Sequence, residues 1–341
     1  MPKTILLVGN HLSTSGQNLS VGEELASRLD QIGYQTILVS RKPNKFARLL
    51  DMLWTIVNQR RFYDIAEVDV FSGPAFIWAY LSSILLKLYK KPFIITLHGG
   101  ELPEFASHHH QIFSKFLKSA NFVITPSKYL VSKFQLICPD IKYLPNAIDL
   151  NHYPYIMRSH LRPHIIWLRA FHEIYNPELA IQTLASISSS GVKATLTMVG
   201  PNKHDGSLER TMNIIEQFKL QNSVLINGAI SKSDVPFELN KGDIFLNTTQ
   251  FESFGVSVME AAACGLCIVT TNVGELKYLW EDGIDAILVS PNNPEAMASA
   301  IKRILSEPEL AKNLSENARK KAEQYDWSTV LPRWKELFLK L

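Results

Sequence analysis

Cysteine is scarce in this 341-residue chain, with only Cys138, Cys264 and Cys267. So small and odd a number excludes a disulfide framework and makes a reducing cytoplasm the expected compartment. Cys264-Gly-Leu-Cys267 has the spacing of a reactive pair. It falls, however, at the C-terminal end of an expected short helix, the wrong end of the dipole for activating a thiol. All three are expected to be small hydrophobes. A membrane-spanning run is also missing, since the near-apolar stretch 71–89 is broken by Ser72, Gly73, Pro74, Ser82, Ser83 and Lys87. Met1-Pro-Lys3 leads straight into an apolar strand, so no secretory signal is expected. No repeat of solenoid length is visible. The loop Gly9-Asn-His-Leu-Ser-Thr-Ser-Gly16 does not have the GxGxxG spacing that a nicotinamide dehydrogenase would want. Nor is there a metal motif. The run His108-His-His110 spreads its side chains about 100° apart on a helix, and no further Cys or His stands at ligand spacing. A solvated or loop segment is expected there.

What is present is a well-filled chain, 46% hydrophobic and 20% charged, long enough for two domains. Apolar strand-like runs alternate with helical periodicity, which implies α/β architecture and parallel sheets. The pattern closes near Pro145-Asn-Ala-Ile-Asp149, passes a Pro-containing stretch at 151–163, and restarts at His164-Ile-Ile-Trp-Leu168. Expected domains are therefore 1–155 and 164–326, with a last amphipathic helix at 327–341. The net charge of +3 is uneven. Residues 41–61 hold six basic side chains and one acid, Asp51.

The most informative stretch is Phe251-Glu-Ser-Phe-Gly-Val-Ser-Val-Met-Glu260. A strand-like run precedes it, and Ala261-Ala-Ala-Cys264 then Gly265 follow as a short helix with its stop. Two carboxylates thus flank a strand-to-helix turn, with Gly255 between them. Such turns lie at the carboxyl ends of parallel strands, where ligands bind. Unpaired N–H groups at the helix start suit phosphate, and the carboxylates suit vicinal hydroxyls. The plainer alternative is that Ser257-Val-Met-Glu260 is a capping box and Glu252 a solvated loop acid.

Glu252-x-Phe-Gly-x-x-x-x-Glu260-Ala resembles the signature of the retaining glycosyltransferases of group 1, which have the GT-B fold: two Rossmann-like domains facing a cleft. The resemblance implies a nucleotide-sugar donor held mainly by the second domain and a glycan, lipid-linked or small-molecule acceptor held mainly by the first. It implies that Glu252 binds donor-sugar hydroxyls, that the backbone at Phe254, Gly255 and Val256 meets sugar and phosphate, and that Glu260 holds the ribose. Arg169 takes the place of the family arginine on the diphosphate. The family lysine five residues on is absent, because position 174 is Ile, and Lys203 is the expected substitute. Gly228 would wall the base, Gly16 would face the donor phosphates, and His98, in Leu-His-Gly-Gly100, would stand beside the reacting sugar. Neither metal nor other cofactor is expected, since cationic side chains and helix dipoles can neutralise diphosphate. No nucleic acid is expected as partner. A nucleotide-sugar epimerase and a sugar-nucleotide sensor without transferase activity are the alternative classes. For the basic segment 41–61, two readings stand: peripheral contact with an anionic membrane, or a helix whose apolar face packs on the sheet while its charges meet water.

Overall fold

Apolar runs separated by helices leave the strands no hairpin route, so their pairings are parallel. The computed structural model describes residues 3–13 and 20–341. Gly16 lies outside the described residues. The chain forms two units, Met1–Ala147 with Trp327–Leu341, and Ile148–Asp326. Each unit carries one six-stranded sheet.

The first unit runs β1 (Thr4–Val8), α1 (Val21–Gln31), β2 (Gln35–Val39), α2 (Lys45–Asn58), β3 (Ile65–Val70) and α3 (Pro74–Leu88). It continues through β4 (Phe93–Leu97), α4 (Leu102–His108), α5 (His110–Leu117), β5 (Phe122–Thr125), α6 (Lys128–Phe134) and β6 (Lys142–Tyr143). The sheet order is β2-β1-β3-β4-β5-β6, so the chain's direction across the sheet reverses beside β1. A Ser20–Glu23 capping box starts α1. His108, His109 and His110 are exposed and span the junction of α4 and α5 rather than a loop. One sheet face packs Val68 and Ile95 against Met52, Phe76 and Phe116. The other packs Ile65 and Ile94 against Leu25 and Leu29, and against Trp327, Trp334 and Phe338.

The second unit runs β7 (His164–Leu168), α7 (Pro177–Ser189), β8 (Thr195–Val199), α8 (Ser207–Gln217), β9 (Val224–Asn227) and α9 (Val235–Leu239). There follow β10 (Ile244–Asn247), α10 (Val256–Cys264), β11 (Cys267–Thr271), α11 (Leu276–Leu279), β12 (Ile287–Val289), α12 (Pro294–Ser306) and α13 (Pro308–Glu323). The last helix, α14 (Trp327–Leu339), packs in the first unit. Sheet order is β12-β11-β10-β7-β8-β9, which puts the reversal between β7 and β10. Residues 148–163, expected to end the first domain and link it to the second, group with the second unit instead. The reason is electrostatic. Buried Arg158 donates to Asn240 at 2.8 Å, while Arg162 clasps Asp243 at 2.9 Å. Cys264 and Cys267 are buried, and burial pushes both thiols up to about 12, as inert small hydrophobes.

The basic helix α2 packs Met52 and Ile56 into the core of the sheet, as the simpler of its two readings expects, but it does not bury the whole of its apolar face. Its inward residues are Arg48, Met52, Thr55 and Ile56, while Phe46, Leu50 and Trp54 are exposed. No helix among the described residues is long and apolar enough to cross a membrane.

Candidate active site

Carboxyl ends of strands beside a reversal in sheet order are open to ligands, because the helices that follow diverge to opposite faces. In the second unit those strands are β7 and β10. Arg169 is the first residue after β7, and Glu252 lies in the turn after β10. Their side chains form an ion pair that is only about a tenth exposed on either side, 11% and 10%. The guanidinium also donates Nε–H to Asn247 at 3.2 Å and lies over the Tyr175 ring at 5.2 Å. Asn247 is itself anchored by donating to Thr270 at 2.9 Å. The Glu252 carboxylate accepts the Ser253 N–H at 3.2 Å.

Two glycines make this turn possible. Gly255, at φ +93°, is the N-cap of α10 and reverses the chain where an L side chain would be strained. At Gly274 a Cβ would stand 2.1 Å from the Glu252 carbonyl oxygen, so only glycine lets that loop approach; Glu275 N–H then donates to the same oxygen at 2.8 Å.

The capping-box alternative fails. Ser257 and Glu260 are inside α10, one and four positions past its first residue, and no side chain caps the helix. The Ser257 hydroxyl is buried and has no hydrogen-bond partner among the described residues. Buried Glu260 accepts from the Tyr153 hydroxyl at 2.7 Å and pairs with Lys232. Glu252 and Glu260 are therefore both sequestered, but each with its own cation. Phe254 and Gly255 are buried and Val256 is exposed at the helix start.

Lys203 is exposed; its N–H donates to the Phe171 carbonyl at 3.1 Å, so its backbone sits two residues along from Arg169. Gly228 is exposed, and its carbonyl accepts from Gly200 N–H at 3.2 Å.

In the first unit, strand alternation puts Ile65, Glu67 and Asp69 on one face, beside Ile94, Thr96 and His98 of the neighbouring strand and its end. That face is apolar toward the amino ends and polar toward the carboxyl ends. His98 Nε2 meets Asp69 Oδ1 at 2.7 Å, and its ring stacks on Phe71 at 5.2 Å. Behind them Glu67 is buried and accepts from the Thr96 hydroxyl. Burial, and then the Asp69 charge, hold the Glu67 carboxyl well above the usual carboxylate range. Burial likewise lowers His11, although Asp69 and the Leu7 carbonyl pull the other way. A cavity of about 20 Å³ against Glu67, His98 and Asn146 has room for a water molecule. No group of three or more His, Cys, Asp or Glu is placed to hold a metal ion among the described residues.

Sequence reasoning missed Asp69, Tyr153, Asn247 and Lys232. Asp69 carried a readable signal: two acids at alternate positions of a parallel strand, where continuous apolar residues are the rule. Tyr153 sits in the stretch taken for a linker, and a lone Lys232 has no spacing to mark it.

The fold and this geometry define a class, the two-domain α/β proteins with GT-B architecture. Sucrose-phosphate synthase from Thermosynechococcus elongatus superposes with TM-score 0.81 at 15% identity, covering 99% of this chain and 98% of that one. HepE of Anabaena, solved with UDP and glucose, gives TM-score 0.77 at 17% identity, covering 99% and 100%. Among curated proteins, the glycogen synthase of Mycobacterium tuberculosis is 22% identical over 342 residues, covering 90% of this chain and 80% of its own. The family model described as "Glycosyl transferases group 1" matches residues 161–321, and that described as "Glycosyltransferase Family 4" matches residues 11–152. The chain belongs to the group 1 glycosyltransferases and is a glycosyltransferase enzyme.

Proposed function

We propose that the protein transfers a sugar, with retention at the anomeric carbon and without a metal, from a nucleoside-diphosphate donor to a glycan, lipid-linked or small-molecule acceptor. The observation that carries this reading is the Arg169–Glu252 pair at the reversal of sheet order, set against the N-terminus of α10. Arg169 and the first N–H groups of α10 face charge that develops on a departing diphosphate. Glu252 takes donor-sugar hydroxyls, and Glu260 takes the ribose through its remaining lone pairs. The backbone at Phe254, Gly255 and Val256 meets the phosphate, and the partnerless Ser257 hydroxyl is a ready donor to it. Gly228 leaves flat space for the base, and Lys203 supplies the second cation. In the first unit, His98, steadied by Asp69, is the candidate catalytic group. In the transfer, the bond from the anomeric carbon to the diphosphate oxygen breaks, and a bond to the acceptor oxygen forms. The acceptor's proton leaves on the diphosphate.

Support from relatives is of the same kind, since HepE of Anabaena binds UDP and glucose. A cytoplasmic place, with peripheral contact at an anionic membrane through 41–61, belongs to this reading. The test is a thermal-shift screen of nucleotide sugars followed by an assay for free nucleoside diphosphate. A bound donor at a hundred times its Kd adds about 2.7 kcal/mol of stability. Diphosphate release that needs an acceptor supports transfer. A donor that binds and is never consumed with any acceptor of the three classes would refute it.

A further inference from the structure

Helix α2 is rotated so that a charge points in and an apolar stripe points out. Asn44 caps it, accepting from the N–H groups of Phe46 and Ala47. One turn on, Arg48 is 7% exposed. Its guanidinium donates to the carbonyls of Lys42 and Pro43, each at 2.9 Å, and to Asn10 Oδ1 at 2.8 Å, and it lies over the Trp78 ring of α3 at 5.5 Å. With Met52, Thr55 and Ile56 also turned inward, the rotation of the helix is fixed. Phe46, Leu50 and Trp54 follow the same four-residue spacing two positions earlier, about 200° around the helix. They are 82%, 67% and 62% exposed.

Helix α3, which packs beside α2, also exposes Ile77, Ile84 and Leu88. Their spacing of seven and then four residues keeps them on one side of the helix. Exposed apolar stripes of this kind on two neighbouring helices mark a contact with something else. The charge around it says what. Arg41, Lys42, Lys45, Arg61, Lys87 and Lys90 are exposed on the same two helices and their ends. Across 41–63 and 74–92 the only acid is Asp51, and its carboxylate accepts from Ser40 at 2.6 Å.

We propose that the α2–α3 face docks on the surface of an anionic lipid bilayer. The aromatic and aliphatic side chains enter the headgroup–acyl boundary, and the cations meet lipid phosphates. A second copy of the chain is a poor occupant, because apposing two such faces would set like charges against each other. The proposal enlarges the peripheral contact through 41–61 to a two-helix face. It is read out by lipid binding without turnover, so its failure removes the membrane contact and leaves the sugar-transfer reading standing.

The test is flotation of the full chain with vesicles of phosphatidylcholine alone and of phosphatidylcholine with about 30% phosphatidylglycerol. The chain should bind the anionic vesicles, and rising salt should weaken it. The variant Phe46→Ser/Leu50→Ser/Trp54→Ser should bind about tenfold or more weakly, with unchanged thermal unfolding, because these side chains are already in water. Lys45→Glu/Arg61→Glu should lose the salt-sensitive part. Leu50→Ser alone, with the smallest effect on folding, should show an intermediate loss. Equal flotation of the triple variant, absence of wild-type binding at low salt, or a stable dimer that the triple variant converts to monomer would each overturn the proposal.

Discussion

Replacing Glu252 by Gln separates the structural from the chemical role of the acid. The substitution keeps the volume and one acceptor but leaves the Arg169 guanidinium without a counter-charge at about a tenth exposure. Breaking a buried pair from one side typically costs about 3–5 kcal/mol. Here Arg169 keeps Asn247 at 3.2 Å and the Tyr175 ring at 5.2 Å. The expected loss is therefore about 2–3 kcal/mol. In a unit of this size that lowers Tm by roughly 5–10 °C. The assay is calorimetry, with hydrogen exchange at β7 and β10 to assign the loss to the second unit. The double variant Arg169→Leu/Glu252→Leu removes both charges and should regain most of the stability. Turnover should not return, since losing one charge-stabilising group costs about 10²–10³ in kcat. If Glu252→Gln unfolds within about 0.5 kcal/mol of the parent, the pair does not hold this turn. If the leucine pair restores turnover, the charges have no part in the chemistry.

Asp69→Asn should lower kcat roughly 10–100-fold with donor KM unchanged, and it should add nothing to His98→Ala, because Asp69 acts through the imidazole; steady-state kinetics of the two singles and the double decide this. Lys203→Ala should raise donor KM about fivefold to tenfold, an effect that high salt erases, as befits an exposed cation. Glu67 gives a pH dependence. Its folded-state pKa is raised above the ordinary 4.5, so the folded form keeps a proton that the unfolded form gives up. The stability from this group is whole below that value and is lost as pH rises from it toward the raised one, with a limiting slope of about 1.4 kcal/mol per pH unit. Glu67→Gln should flatten that slope in urea titrations between about pH 5 and 8; an unchanged slope would show that Glu67 ionises in the fold.

Alternation of short apolar runs with helices fixes parallel pairing, and the single restart of that pattern at His164 separates two sheets, so the architecture could be read before any coordinates. The turn at 251–260 was equally legible, because Gly255 and Gly265 are demanded by backbone conformation and leave a mark in sequence. Pairings across the fold leave none. Arg169 and Glu252 are 83 residues apart, Tyr153 and Glu260 are 107 apart, and no periodicity links them. The rotation of α2 shows the same limit in sharper form. At helical spacing the apolar residues of 46–57 spread over one wide arc, from Met52 and Ile56 through Leu49, Leu53 and Val57 to Phe46, Leu50 and Trp54, with Arg48 beside its Met52 end. Hydrophobicity alone favours burying the middle of that arc, around Leu53. What decides is that Arg48 finds three oxygen acceptors and the Trp78 ring in one place, so burial of the charge is offset by bonds that water would otherwise provide. It follows that Arg48→Leu should remove the acceptors' partner and lower Tm, while Phe46→Ser should leave it unchanged. The opposite order would mean that α2 turns its aromatic stripe to the sheet in solution, and the apolar face exposed here would not exist.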